Sequence, residues 1–196
     1  MSTRTGVFEE RVWLQRAVLV LVAPGAVFGS LRDDSDGSAR DREEAVLALV
    51  LLAGIAAVLW TPTYGRLMED RFVAWDGLLV AVVAFVGGGI YGAAAYWLGG
   101  LVFHGALRLL GSRTSFRQAR HVLAFAAAPI ALSLLLVWPV RLALYGEDLF
   151  RAGGSDRGGG NTAFVVLELA FVLWAVALLA LGSRAVYRSS SSAGIS

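Results

Sequence analysis

Glu168 is the one acid inside a long apolar run of this chain, Ala163 to Leu181. A carboxylate in hydrocarbon is costly, so it needs either a partner or a task. Two readings follow. One is a structural pair with Arg141, which closes the preceding apolar run. The other is a proton- or cation-coupling carboxylate of the kind small multidrug exporters use. The remaining reactive side chains offer less. His104 and His121 flank an Arg-rich stretch, with no Cys anywhere and no carboxylate beside them. That is a poor metal site, and hydrogen bonding at an interface is the simpler role. Gly153 to Asn161 (GGSDRGGGN) is glycine-rich but lacks the GK[ST] ending of a phosphate loop. No HExxH, GxSxG or nucleophile–base pair occurs. The reading is therefore non-enzymatic, with no catalytic residue, no metal and no cofactor called for.

The second notable cluster is GSRTSFRQAR, residues 111–120. Ser115 and Gln118 have the S-x-x-Q spacing of a capping box, which predicts a helix from about Phe116. Arg117 and Arg120 then fall in its first turns, where cations oppose the helix dipole. The 108–120 loop has four Arg and no acid. Anionic lipid headgroups or an acidic protein partner could compensate Arg113, Arg117 and Arg120. Retention of positive charge on the inner side of a membrane accounts for them as well.

These residues need elements to hold them, and composition says which. Of 196 residues, 57% are hydrophobic and 16% charged. A soluble domain is usually about 45–50% apolar and 25% charged. Disorder is excluded by the same numbers. The net charge of +2 is too small for a nucleic-acid binder. All basic residues are Arg, a mark of a GC-rich genome.

A spanning helix needs about 20 apolar residues. Ala45–Gly65, Gly77–Leu107, Val122–Val140 and Ala163–Leu181 qualify. The second is read as one helix from about Leu78 to Gly100, with its end continuing into water. Strand alternation is absent, so a barrel is excluded. The expected fold is all-α: a polytopic membrane protein with four transmembrane helices and an N-terminal interfacial helix. Of the 17 basic residues, 12 lie in the N-terminal tail, the second loop and the C-tail. The positive-inside rule then puts both termini in the cytoplasm, and a bacterial inner membrane is the expected location.

Ala17 to Phe28 (AVLVLVAPGAVF) is short for a span. A signal peptide fits poorly, with Glu9 and Glu10 where basic residues belong. An interfacial helix from about Val7 to Ala23 fits better, and a re-entrant segment is the other option. The expected organisation is an interfacial segment 1–31, a mobile polar linker 32–44, a membrane domain 45–187 and a disordered tail 188–196. In the second span, Gly88, Gly92, Ala95 and Gly99 share one helical face. Such a face packs closely on another helix, inside the chain or across a homodimer. Pro129 and Pro139 fall in the third span. A kink at Pro129 frees a carbonyl that Ser133 or a neighbouring helix could satisfy.

Three segments together carry a resemblance. The first is Trp13 followed by Pro24-x-x-x-Phe28. The second is Gly111-x-x-x-Ser115-Phe116-Arg117-Gln118, with Ala128-Pro129 in the next span. The third is Leu181-Gly182-x-Arg184-Ala185. In this order they resemble the Yip family, membrane proteins named for interaction with Rab-type (Ypt) GTPases and with many bacterial relatives. The resemblance implies a non-enzymatic membrane protein acting through partners or membrane shape. One departure stands out: family members look five-pass, with a further span after the Gly-x-Arg-Ala element, where this chain reads RSSSSAGIS.

Overall fold

The computed structural model describes residues 15, 17–60, 77–146 and 159–192. Among these there is no strand. The elements are α1 (Pro24–Ser30), α2 (Asp36–Trp60), α3 (Gly77–Ala94), a π-helical turn (Ala95–Gly99), α4 (Gly100–Leu109), α5 (Phe116–Ala126), α6 (Ala128–Tyr145) and α7 (Gly159–Ser192). Four helical segments are long and apolar enough to cross a membrane: Asp36–Trp60, Val82–Leu109, Phe116–Tyr145 and Asn161–Tyr187. The chain is a multi-pass, all-α membrane protein.

The third span (α5–α6) is the most buried, lying among the others. Span two packs chiefly on span one, and span four on span three. Hydrocarbon offers no hydrophobic drive between spans, so close packing must hold them. The small-residue face does this within the chain. A Cβ on Gly88 would stand 2.5 Å from Ile55 Cα, and one on Gly54 would stand 2.8 Å from Gly92 Cα. Gly88 and Gly92 therefore serve contact between α2 and α3. Ala95 is exposed, and Gly99 faces Leu123.

Several boundaries differ from the expected ones. The linker 32–44 is not mobile coil: from Asp36 on it is the first turns of α2. The Ser35 N–H donates to Asp33 Oδ1 at 3.0 Å, and Ser38 Oγ donates to the same carboxylate. This local turn starts the helix. Arg42, 5% exposed, then donates to the carbonyls of Ser30 (2.7 Å) and Asp33 (2.8 Å). Charged residues that looked like solvated linker thus tie the turn down.

The N-terminal segment also differs. Residues 17–22 are helical and break at Ala23, where Pro24 opens α1. Val20, Val27, Phe28 and Leu31 are buried in the core with Phe125 and Leu178. This stretch therefore packs one face on the bundle and leaves Val18, Leu19 and Val22 exposed on the other. The earlier part of the expected 7–23 helix lies outside the described residues, apart from helical Gln15.

The third span breaks at Ala127, placing Pro129 in the first turn of α6, where its missing N–H costs little. Ser133 Oγ donates to Ile130 O at 2.7 Å and not to a carbonyl freed by the proline. Pro139 sits inside α6 without ending it. The last helix runs to Ser192, so residues 188–192 of the expected disordered tail are helical. Residues 61–76 and 147–158, with most of GGSDRGGGN, lie outside the described residues.

Candidate functional site

At one end of the bundle the chain's polar residues form a connected knot. It starts with the turn after α4. Gly111, at φ +83°, lets Ser112 N–H reach Leu107 O and its own N–H reach Arg108 O, both at 2.9 Å. This is a glycine C-cap closed by the two bonds of a Schellman motif. Ser112 and Thr114 are buried, and their hydroxyls hydrogen-bond each other. Ser115 then caps α5: its hydroxyl accepts from Gln118 N–H, while Gln118 Oε1 accepts from Ser115 N–H, each at 3.1 Å. Both ends of the Arg-rich loop are thereby fixed.

The same residues clamp the turn before α2. Gln118 Nε2 donates to Leu31 O at 3.1 Å. Arg117 forms ion pairs with Asp34 (2.9 Å) and Asp36 (2.6 Å) and also donates to Asp34 O (2.6 Å). The acids that the N-terminus of α5 requires thus come from the chain itself. Asp33, with its oxygens taken by Ser38 Oγ–H and Ser35 N–H, has its pKa lowered to about 2. Arg32 reaches Ala185 O at 3.4 Å, and Tyr187 donates to Leu110 O at 3.4 Å. Below the knot, Phe28 and Val122 close over Gly182. Pro24 and Phe28 on α1, Gly111 to Gln118 at the loop, and Gly182 with Ala185 on α7 are far apart in sequence. Here they build one end of the bundle.

The three segments lie within one family match. A family model described as the Yip1 domain matches residues 18–195. The chain belongs to the Yip1 family. Comparison with curated proteins and with solved structures gives no match. The Yip1 match begins within the docked N-terminal helix and runs through the last span, so it covers every residue of the knot.

Two further charged residues of this Yip1-family chain have distinct settings. Arg120 is not in the ion-pair network. Its guanidinium lies 3.8 Å from the Trp97 ring centre, 4.7 Å from Phe116 and 5.0 Å from Tyr96. Two of those rings belong to the π turn. Such turns are rare and often sit at functional positions. A Cβ on Gly100 would collide with the Arg120 stem, so the glycine makes the approach possible. His104 packs edge-on against Phe116, and His121 is buried. Among the described residues no group of three potential metal ligands forms.

Toward the opposite end, Arg141 Nη1 donates to Glu168 Oε1 at 2.9 Å. Both are buried, at 8% and 4% exposure. Arg141 also reaches Asn161 Oδ1 at 3.3 Å and lies over the rings of Trp138 and Phe164. Among the described residues Arg141 Nε has no hydrogen-bond partner, and the Trp60 side chain also reaches the Glu168 carboxylate. Arg113 is exposed at the loop tip, joined to none of these groups.

Sequence reasoning missed the π turn, the ring stack on Arg120 and the structural use of Arg42. One signal was available for Arg117: Asp33, Asp34 and Asp36 cluster in one segment, and the Arg-rich loop lacks acids.

Proposed function

We propose that this Yip1-family protein is a non-enzymatic membrane scaffold that recruits an acidic protein partner through the loop between its second and third spans. The observation that carries the reading is an asymmetry among the loop's cations. Arg117 is neutralised within the chain, while Arg108 and Arg113 are exposed on the same rigid turn and have no acid beside them among the described residues. A loop closed by a Schellman turn and a capping box presents its charges in a fixed geometry, which suits recognition. The positive-inside rule supports placing this face, with both termini, in the cytoplasm of a bacterial cell.

The alternative is a small transporter or permease component using Glu168. The apolar crevice of the bundle bears on it. Its lining on α7 runs from Val172 to Leu179, stops a turn short of Glu168 and contains no charged residue. Glu168 is committed to Arg141 and does not open on that space. This favours the scaffold.

Crosslinking and affinity purification from native membranes tests the reading, comparing wild type with Arg108→Gln/Arg113→Gln. Those substitutions leave the knot intact. A crosslinked species that disappears in the double variant, at unchanged protein level, supports the scaffold. The same species captured in equal amount from both overturns the loop as its docking site.

A further inference from the structure

We infer that the chain holds one anionic phospholipid in a defined place, its phosphate on Arg120 and one acyl chain in the crevice beside the π turn. The inference is independent of whether the loop recruits a protein.

The crevice has a volume of about 410 Å³. That is within the ~300–1,000 Å³ of ordinary small-molecule sites. Its walls are apolar, many of them small side chains such as Ala53, Ala95 and Ala127. Tyr91 and Val176 on its lining are more than half exposed. In a membrane bundle an exposed apolar rim faces hydrocarbon, so an acyl chain enters sideways from the bilayer.

A cation stands at one end of this space. Tyr96 both lines the crevice and touches Arg120. Leu123 and Ala124 line it too, three and four residues after Arg120 on α5 and so on its face of the helix. The other half-buried or buried cations of the bundle have acceptors: Arg42 has carbonyls, Arg117 has Asp34 and Asp36, and Arg141 has Glu168. Arg120 has rings but no acid and no hydrogen-bond acceptor among the described residues, and its Nε is buried without a partner. Aromatic stacking satisfies the guanidinium faces and leaves the in-plane N–H groups unused. Those groups fit a phosphate. Glu43 is the acid whose charge reaches Tyr96, and it is exposed on α2. Trp97, 54% exposed, fits an aromatic anchor at headgroup depth. An uncharged apolar ligand would fill the crevice and leave Arg120 bare. Free phosphate would do the reverse. A phospholipid satisfies both.

The test uses the full chain in detergent, with native mass spectrometry and thermal unfolding against added phosphatidylglycerol, phosphatidylcholine or inorganic phosphate. Wild type is expected to retain phosphatidylglycerol several-fold over phosphatidylcholine, with no stabilisation by phosphate alone. Arg120→Gln should equalise the two lipids. Arg120→Lys keeps the charge and should keep a weaker preference, which guards against misfolding of the Gln variant. Ala95→Leu, which fills the crevice from an exposed position, should lower retention of both lipids. Arg113→Gln should change nothing. Equal retention of the two lipids by wild type, a preference surviving in Arg120→Gln, or full retention in Ala95→Leu each overturns the site.

Discussion

The ring of Phe28 lies 2.9 Å from where a Cβ on Gly182 would stand, with Val122 at 2.7 Å on the other side. An N-terminal residue and one near the end of the last span thus share a slot against the third. Gly182→Ala should cost about 1–3 kcal/mol through overpacking. Phe28→Ala should cost about 3–5 kcal/mol, as expected for a fully buried ring. Because the two act on one space, the double variant should be less destabilised than the sum of the singles. Denaturation in detergent measures all three, and strict additivity would refute the shared slot.

The Arg117 ion pairs are half exposed, with the side chains of Arg117 and Asp34 at 36% and 27%. Pairs of that kind contribute roughly 1 kcal/mol or less. Arg42 differs, being buried and donating to two carbonyls that fix the turn before α2. Its bonds should each contribute about 1.5–3 kcal/mol net of the lost bonds to water. Arg42→Gln should therefore destabilise more than Arg117→Gln. The opposite order in a melting series would show that the knot hangs on its ion pairs.

What could be read from the sequence divides along a physical line. Span count, the capping box at Ser115–Gln118 and the Gly88/Gly92 face follow from local pattern, and each has a local cause in the structure. The charge density of 32–44 resembles that of a linker, while from Asp36 on it is helical. There the acids and Arg42 have partners that lie elsewhere in the chain, or across a turn, and composition cannot show them. The Arg120 stack depends on a π turn, which leaves no hydropathy signature. Arg141 and Glu168 were readable as a candidate pair, because two costly charges on neighbouring spans lie toward the same end.

Asp33 gives a pH-dependent test at the knot. Hydrogen bonds from Ser38 Oγ and Ser35 N–H favour its ionised form and lower its pKa from 3.8 to about 2. Its contribution is therefore complete above pH 3.8 and lost as pH falls through about 2. Protection of the Ser35 amide, its exchange rate relative to the intrinsic rate at each pH, should hold down to about pH 3 and fall below that. In Asp33→Asn this acid-dependent loss of protection should vanish. A Ser35 amide with the same pH profile in both proteins would rule out this carboxylate as its anchor.

Arg141 and Glu168 separate a structural pair from a coupling site. Breaking a buried pair leaves an uncompensated charge and costs about 3–5 kcal/mol. Glu168→Leu alone should therefore lower the melting temperature and the protein level strongly. Arg141→Leu/Glu168→Leu removes both charges and should recover most of the loss, since replacing a buried pair with apolar residues is often near neutral. A stable Glu168→Gln protein that has lost a proton-linked flux seen in wild type would instead assign the carboxylate to coupling.

The contact between α2 and α3 leaves no room for side chains at its glycines. A Cβ at Gly88 would stand 2.7 Å from Ile55 N, and backbone cannot yield as a flexible side chain can. Gly88→Ala must push the two spans apart and should cost about 1–3 kcal/mol. Gly87→Ala is its control on the same helix, because a Cβ there meets only Val58 Cγ1 at 4.0 Å. That substitution should be neutral or slightly stabilising, through the better helix propensity of alanine. The comparison also bears on self-association, for a face used inside the chain cannot serve as a seam between copies at the same time. Crosslinking between copies that is lost in Gly88→Ala while the monomer's melting temperature holds would move this face to a dimer interface. Loss of melting temperature with unchanged crosslinking keeps it inside the bundle.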